Sequence, residues 1–134
     1  ISKYIIESKQ ENVKLMKRLP KDDYDRMVGS CDIGMLFLDH RFTIPNFPSR
    51  ILSYMQSKLP VLAVTDTNTD IGKIIVEGEF GWWCESDNAE NFFDTIELIG
   101  KTGFAHMGEK AYTYLCENYS ASESRKKIMR LIGE

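Results

Sequence analysis

Cysteine is scarce in this sequence, and no two cysteines stand at the spacing of a metal or redox motif. The three that occur, Cys31, Cys84 and Cys116, are odd in number and far apart. That pattern argues against a disulfide framework and a zinc site, and it favours a reducing cytosol. His40 and His106 have no second ligand at metal-binding spacing. We therefore expect neither a metal ion nor another cofactor.

Long hydrophobic runs and an excess of positive charge are also missing. No apolar run is long enough to span a bilayer, and no extended apolar core of a signal peptide is visible. The formal net charge of −3 over 134 residues gives no general reason to expect a nucleic-acid partner. The length suits one cytoplasmic domain over residues 1–134. Because the first residue is not methionine, we expect this domain to be cut from a longer protein.

Residues 42–64 combine the signals of a loop, a helix and a strand. Pro45 and Pro48 disfavour the α region for the residues before them, which predicts an extended loop over residues 42–47. Ser49 follows, and its hydroxyl can accept a hydrogen bond from a free N–H group in the first turn of a helix. The sequence therefore predicts a helix that begins at Ser49.

An apolar stripe continues this helix, and a proline ends it. The residues on the stripe are Ile51, Leu52, Met55 and Leu59. Pro60 cannot continue the helix. Residues 61–64 then form a short continuous apolar run, which is typical of a buried parallel strand.

Strand and helix signals alternate along the rest of the chain. Further strands are predicted over residues 13–19, 33–38 and 80–85, and helices over residues 21–30, 70–78, 87–99, 104–115 and 120–132. Asp87 with Glu90, and Ser120 with Glu123, have the spacing of a capping box at the start of a helix.

This alternation with short connections predicts an α/β fold. We expect a three-layer, Rossmann-like architecture, with a parallel sheet of about four strands and helices on both faces. Ligands of such sheets bind outside the carboxyl ends of the strands. Three loops should converge there, over residues 17–21, 39–50 and 65–70.

Two charged clusters have a simpler structural explanation than a functional one. Asp22 and Asp23 could form a catalytic carboxylate pair, but the dipole at the start of a helix also favours acidic residues there. Lys126, Lys127 and Arg130 could contact a membrane surface, but they could equally complement the dipole at the end of the last helix. We prefer the dipole explanation in both cases.

Ser49 and Arg50 give the start of the central helix the residues of a phosphate site. A helix N-terminus presents unpaired N–H groups and a partial positive charge. A hydroxyl and a guanidinium in the first turn would add to both. The alternative is a serine cap followed by a solvated arginine, and spacing alone favours that alternative.

Five segments together resemble one enzyme family. Residues 48–55, Pro-Ser-Arg-Ile-Leu-Ser-Tyr-Met, with residues 59–63, Leu-Pro-Val-Leu-Ala, resemble the donor-site helix of retaining nucleotide-sugar glycosyltransferases of the GT-B fold, family four type. The similarity is strongest to bacterial enzymes of polysaccharide and capsule biosynthesis. Residues 31–34, 69–72 and 80–83 fit the same family in the expected order, so the resemblance covers nearly the whole chain.

The resemblance implies that the chain is the C-terminal, donor-binding part of such an enzyme. It aligns with the last four of about six strands of a doubly wound sheet, without the first two strands and their glycine-rich turn. The N-terminal domain, which supplies acceptor and catalytic contacts, is also missing, so we expect weak nucleotide binding and no turnover. The acceptor would be a saccharide or glycolipid at the inner face of the plasma membrane. The incomplete sheet should either close up or form a homodimer through its open edge.

The resemblance also implies a donor site. Ser49 and Arg50 would face the donor diphosphate, and Arg18, Leu19 and Pro20 would hold the base and ribose side, largely through backbone groups. Catalysis in the family resembles electrostatic stabilisation of a departing nucleoside diphosphate without a metal. No residue of this chain is assigned as catalytic.

The sugar and ribose contacts depart from the family pattern. Many relatives carry two glutamates, which align here with Pro45 and Ser53. Ser53 would still hydrogen-bond the ribose, though more weakly than a carboxylate would. Relatives with Pro-Ser-Lys at this helix also tend to lack these glutamates. His40 and Asn46 are expected on the sugar side of the site.

Two other functions stay open. A non-catalytic nucleotide-binding module, flavodoxin-like or receiver-like, would carry a flavin-phosphate loop or an acidic cluster after its first strand, but residues 17–20 are basic there. A nucleotide-sugar epimerase of the same fold would need catalytic carboxylates or histidines, for which Asp39, His40 and Asp70 are the candidates. Structural roles at strand ends and helix caps are the simpler assignment for these three.

Overall fold

The computed structural model describes residues 2–42, 44 and 46–133. Pro45, which the sequence places in the loop before the central helix, lies outside the described residues. The elements are, in chain order, α1 (Ser2–Glu7), α2 (Lys21–Val28), β1 (Gly34–Phe37), α3 (Arg50–Gln56), β2 (Val61–Thr65), α4 (Ile71–Glu77), β3 (Gly81–Glu85), α5 (Ala89–Lys101), α6 (Met107–Tyr119) and α7 (Ala121–Ile132).

The three strands form one parallel sheet in the order β1-β2-β3. Gly34 lies opposite Val61 in the first pair of strands, and Val61 lies opposite Gly81 in the second. Helices pack on both faces of the sheet. This arrangement confirms the predicted Rossmann-like α/β fold.

One of the four predicted strands is wrong. Residues 13–19, the first of them in the chain, form no strand in the structure. A strand is held by hydrogen bonds to a neighbour and by one buried face. This segment has neither, since its apolar side chains Val13, Leu15 and Met16 are exposed and Leu19 is only half-buried. The sheet has therefore not closed up, and β1 is an edge strand.

One face of the sheet packs against α3, α4 and α6. The strands contribute Leu36, Val61 and Ala63 to this core. The helix residues buried against them are Ile51, Met55, Ile71, Ile75 and Ala111. The apolar stripe predicted for the central helix is thus confirmed at Ile51 and Met55.

The opposite face of the sheet packs against α5. The residues buried on this face are Leu62, Val64, Trp82, Cys84 and Ile99. Trp82 meets the ring of Phe104 edge to face. The next residue, Trp83, packs on the first face, where its indole N–H donates to Thr65 Oγ1 (3.0 Å). The two adjacent tryptophans therefore belong to different cores.

Two glycines of the sheet are fixed by close packing. A Cβ atom at Gly81 would lie 1.9 Å from the carbonyl oxygen of Val61, and one at Gly34 would lie 2.4 Å from the ring of Tyr54. Neither position has room for a side chain. Both glycines belong to segments that resemble the glycosyltransferase family, so this part of the resemblance is explained by packing of the fold.

The predicted hydroxyl cap at the start of α3 is wrong. Ser49 already has helical backbone angles (φ −56°, ψ −21°), and its side chain makes no capping hydrogen bond in the structure as described. The Ile51 N–H donates instead to the Pro48 carbonyl (3.1 Å). This backbone bond closes the first turn and leaves fewer N–H groups for a phosphate.

The two predicted capping boxes have different outcomes. The cap of α5 is Asn88 and not Asp87, since Asn88 Oδ1 accepts a hydrogen bond from the Glu90 N–H (2.9 Å). The start of α7 is as predicted, because Ser120 Oγ accepts from the Glu123 N–H (3.2 Å).

Candidate functional site

An open cleft of about 630 Å³ runs along the outer side of β1. Its walls come from the segment before α2, from α2, from β1 and from α3. The residues that line it are Met16, Lys17, Arg18, Leu19, Tyr24, Met27, Val28, Cys31, Ile33, Gly34, Met35, Arg50, Tyr54 and Leu59.

The floor of the cleft is the unpaired edge of β1. The Gly34 N–H donates to the Pro60 carbonyl (2.9 Å), so the backbone of Gly34 faces β2. Alternate residues of a strand point to opposite sides of the ladder, which places the backbone groups of Met35 and Phe37 on the outer side. Tyr54 covers one of them, because its hydroxyl donates to the Met35 carbonyl (3.2 Å).

The charge of the cleft is positive. Lys17, Arg18 and Arg50 line it, and no Asp or Glu of the described residues does so. Lys17 and Arg18 come from one wall and Arg50 from another, so the cations approach a bound molecule from two sides. The cleft is electrostatically suited to an anion that can contact several cations at once.

Two tyrosines add apolar surface beside these cations. Tyr24 of α2 and Tyr54 of α3 are both half-buried in the walls. Burial raises the pKa of the Tyr54 phenol, Tyr24 acts in the same direction, and the nearby Arg50 opposes them. The phenol is therefore protonated at neutral pH and can keep donating to the edge of β1. A planar apolar group could pack against these rings.

The structure brings three of the predicted donor-site residues into one cleft. Arg18, Leu19 and Arg50 all line it, although more than thirty positions separate Leu19 from Arg50 in the chain. Pro20 follows directly, and its carbonyl accepts from the Tyr24 N–H (2.9 Å) at the start of α2. The turn before α2 and the start of α3 are therefore neighbours in space.

The remaining predicted residues lie outside the lining of this cleft. Ser49 and Asn46 are exposed on the approach to α3, and Ser53 is half-buried on that helix. His40 is exposed on the loop after β1, where its Nδ1 lies 3.8 Å from Asp39 Oδ1. Of the two residues predicted for the diphosphate, Arg50 lines the cleft and Ser49 does not, and the ribose and sugar-side contacts stay predictions.

The carboxylates named for an epimerase have structural surroundings. Asp39 accepts hydrogen bonds from both the backbone N–H and the side chain of Arg41, and this pairing holds the pKa of the Asp39 carboxyl well below its usual range. Asp70 is exposed just before α4. Asp39, His40 and Asp70 are all absent from the cleft lining that the structure describes.

The third loop that was expected at the site, residues 65–70, is also separate from the cleft. It is organised by Asp66, whose Oδ1 accepts from the N–H groups of Asn68 (2.8 Å) and Thr69 (3.0 Å). The Asn68 side chain donates to the Phe42 carbonyl (3.4 Å), so this loop meets the loop over residues 39–50, although neither residue lines the cleft. Because residues 13–19 form no strand, the cleft lies along the side of β1 and not only at its carboxyl end.

Several cleft residues were missed by reasoning from the sequence. Tyr54 is four positions after Arg50, so helical spacing could have placed the two on one face. The helical spacing of Tyr24, Met27 and Val28 predicts that Tyr24 faces the core, and the continuous apolar run over residues 33–38 predicts that Met35 lies in a strand covered on both faces. Their exposure to a cleft depends on the open edge of β1, which local pattern does not reveal.

The described residues contain neither a metal-binding cluster nor a membrane-spanning helix. Across the described ranges, no group of three or more His, Cys, Asp or Glu could hold a metal ion. No helix in the same part of the chain is both long and apolar enough to cross a bilayer.

The fold and the cleft define an α/β domain with a cationic cleft at the edge of a parallel sheet. No protein-family model matches the chain, and no solved structure matches it. Among curated proteins, the chain is similar to a protein named probable glycosyltransferase WbjE from Pseudomonas aeruginosa, with 24% identity over 128 residues. The match covers 96% of this chain and 32% of the relative, so the chain spans about a third of that protein's length. This match supports a relationship to a glycosyltransferase.

Proposed function

We propose that the chain is the nucleotide-sugar donor-binding part of a retaining glycosyltransferase of the GT-B fold, family four type. The complete enzyme would transfer a hexose to a growing polysaccharide or glycolipid. The name of the relative and the ordered segments that resemble this family support the proposal. Residues outside this chain would supply the acceptor site and complete the donor site.

The observation that carries the proposal is the composition of the cleft. Lys17, Arg18 and Arg50 suit a diphosphate, because several cations can contact its oxygens at once, and no Asp or Glu of the described residues lines the cleft. The rings of Tyr24 and Tyr54 suit the planar base of a nucleotide. This argument is independent of Gly34 and Gly81, which the packing of the sheet explains.

Arg50 has the central role in the proposed mechanism. Its guanidinium would bind the donor diphosphate through paired hydrogen bonds. As the bond from the sugar to the diphosphate breaks, negative charge grows on the leaving phosphate, and Arg50 would stabilise that charge more than it stabilises the ground state. The same interaction would therefore serve binding and catalysis.

The other predicted contacts would hold the base and the ribose of the nucleotide. Arg18 and Leu19, with Pro20, would hold the base, and Ser53 would reach the ribose from α3. These assignments require a nucleotide that extends from the cleft along α3.

A titration of the chain with UDP, GDP and ADP tests the proposal, with binding followed by backbone NMR shifts. We expect shifts at residues 17–20 and 50–54 with one of the three nucleotides. In Arg50→Ala the dissociation constant should rise about tenfold or more, because hydrogen bonds to charged groups contribute about 1.5–3 kcal/mol. Arg26→Ala is the matched control, since Arg26 is an exposed arginine of α2 outside the cleft.

Equal binding by Arg50→Ala and Arg26→Ala would contradict the donor-site assignment. Silence with all three nucleotides, in this chain and in the longer protein that contains it, would reject donor binding and favour a regulatory module. The thermal unfolding midpoint of each variant should match the parent chain, which separates lost binding from lost folding.

A further inference from the structure

Helix α7 contacts α6 but has almost no buried surface. None of its described residues is buried, and only Glu123 and Met129 are partly covered. Its large apolar side chains Ile128, Leu131 and Ile132 are 57%, 87% and 65% exposed. Most of this apolar surface therefore remains in contact with water.

These three side chains lie on one side of the helix and have cations at both margins. At about 100° per residue, Leu131 and Ile132 fall on either side of Ile128 within an arc of about 100°. Lys127 lies just outside one margin of that arc and Arg125 just outside the other. An apolar stripe between two rows of cations is the pattern of a helix that lies in the surface of a lipid bilayer.

The charge of α7 is opposite to that of the chain. The helix carries four cations, at positions 125, 126, 127 and 130, and one carboxylate, Glu123, which pairs with Lys126 (2.6 Å). The whole chain has a net charge of −3. Complementing the helix dipole explains only Arg130, which is the one cation in the last turn of the helix as described. The cations on the apolar side need another explanation.

We propose that α7 docks on an anionic phospholipid surface. Ile128, Leu131 and Ile132 enter the boundary between headgroups and acyl chains, and Arg125 and Lys127 bind lipid phosphates. A second copy of α7 is a poorer occupant of this face, because it would bring like charges together. The inference does not depend on the proposed function.

Co-sedimentation with lipid vesicles tests this docking. The probes are vesicles of phosphatidylcholine alone and vesicles in which about a third of the lipid is phosphatidylglycerol. We expect the chain to sediment with the anionic vesicles only, and to be released as salt is raised. Leu131→Gln should weaken binding to the anionic vesicles about tenfold, because it removes one apolar side chain that the bilayer would bury. Lys127→Gln should weaken it less.

Leu98→Gln is the matched control, since Leu98 is a half-exposed leucine on α5. It should leave vesicle binding unchanged. The proposal is overturned if the chain ignores anionic vesicles, or if Leu131→Gln and Leu98→Gln bind equally. It is also overturned if sedimentation velocity shows a dimer that Leu131→Gln dissociates, which would assign the face to a second copy. Because Leu131 is 87% exposed, its replacement should leave the unfolding midpoint unchanged.

Discussion

Asp66 connects β2 to the loop that follows it through two hydrogen bonds from one carboxylate oxygen. The residue is 3% exposed, and its Oδ1 accepts from the N–H groups of Asn68 and Thr69. Its Oδ2 is buried without a hydrogen-bond partner among the described residues. One oxygen therefore organises the loop, while the other carries an unpaired desolvation cost.

Asp66→Ala should destabilise the chain by about 1–3 kcal/mol, because it leaves two backbone N–H groups without their acceptor. Asp66→Asn should cost less, since it retains the acceptor oxygen and removes a buried charge. Urea unfolding measures both changes. Asp70→Ala is the control, because Asp70 is exposed and makes no capping bond to α4 in the described structure. Equal losses in Asp66→Ala and Asp70→Ala would reject this role for Asp66.

Two adjacent residues at the start of α5, Asp87 and Asn88, could each cap the helix. Asp87 and Asn88 both suit a helix cap, and Glu90 completes a capping box only with Asp87. The structure gives the role to Asn88, which has extended angles (φ −122°, ψ 106°) and accepts from the N–H groups of Glu90 and Asn91. Asn88 is the cap because it is the last residue with extended angles before α5 begins at Ala89.

Asn88→Ala should lower the free energy of unfolding by about 1 kcal/mol, which is typical of a lost cap. Asp87→Ala should change it by less than about 0.5 kcal/mol, as expected for an exposed site without such a bond. Thermal unfolding of the two variants gives the comparison. A larger loss in Asp87→Ala would restore the cap that the sequence alone predicts.

The strands differ in how well the sequence predicts them. β2 is predicted almost to the residue, because an apolar run that is buried on both faces has a local signature. Residues 13–19 have a weaker local pattern, with three cations among seven residues, and they form no strand. Strand formation there depends on a neighbour to pair with, and local pattern does not contain that information.

The residues of the site also differ in how well the sequence predicts them. Arg18 and Arg50 could be named from the resemblance, and the structure places both in one cleft. Tyr24 and Tyr54 could not be assigned to the site, because their role depends on how α2 and α3 face the open edge of β1. For Ser49, a local rule predicts a helix cap that the backbone of the first turn overrides, and its contact to the diphosphate stays a prediction.

For the whole molecule, the open edge of β1 is the main structural liability. Phe37 is 60% exposed at this edge, and its ring contacts Phe92 of α5 at a centroid distance of 5.8 Å. An unpaired apolar edge is a template for another strand. The nucleotide proposed for the cleft and a second copy of the chain would both bind beside the outer edge of β1, so each would hinder the other.

We expect the chain to associate weakly through this edge. Phe37→Lys should shift the population towards monomer, because a charge at a sheet edge opposes pairing with another strand. Sedimentation equilibrium over a range of concentrations measures the association. Val76→Lys, at an exposed apolar position of α4, should leave it unchanged. A chain that stays monomeric at all concentrations, or that responds equally to both variants, would contradict the prediction.

The placement of Trp82 and Trp83 in different cores gives the chain two separate optical reporters. Trp82 contacts the ring of Phe104 on the face covered by α5, and Trp83 donates to Thr65 on the face covered by α3 and α4. Indole emission depends on the polarity around the ring and on its hydrogen bonding. Fluorescence of Trp82→Phe would therefore follow one helical layer, and fluorescence of Trp83→Phe the other, so a difference between the two would reveal whether the layers separate from the sheet together.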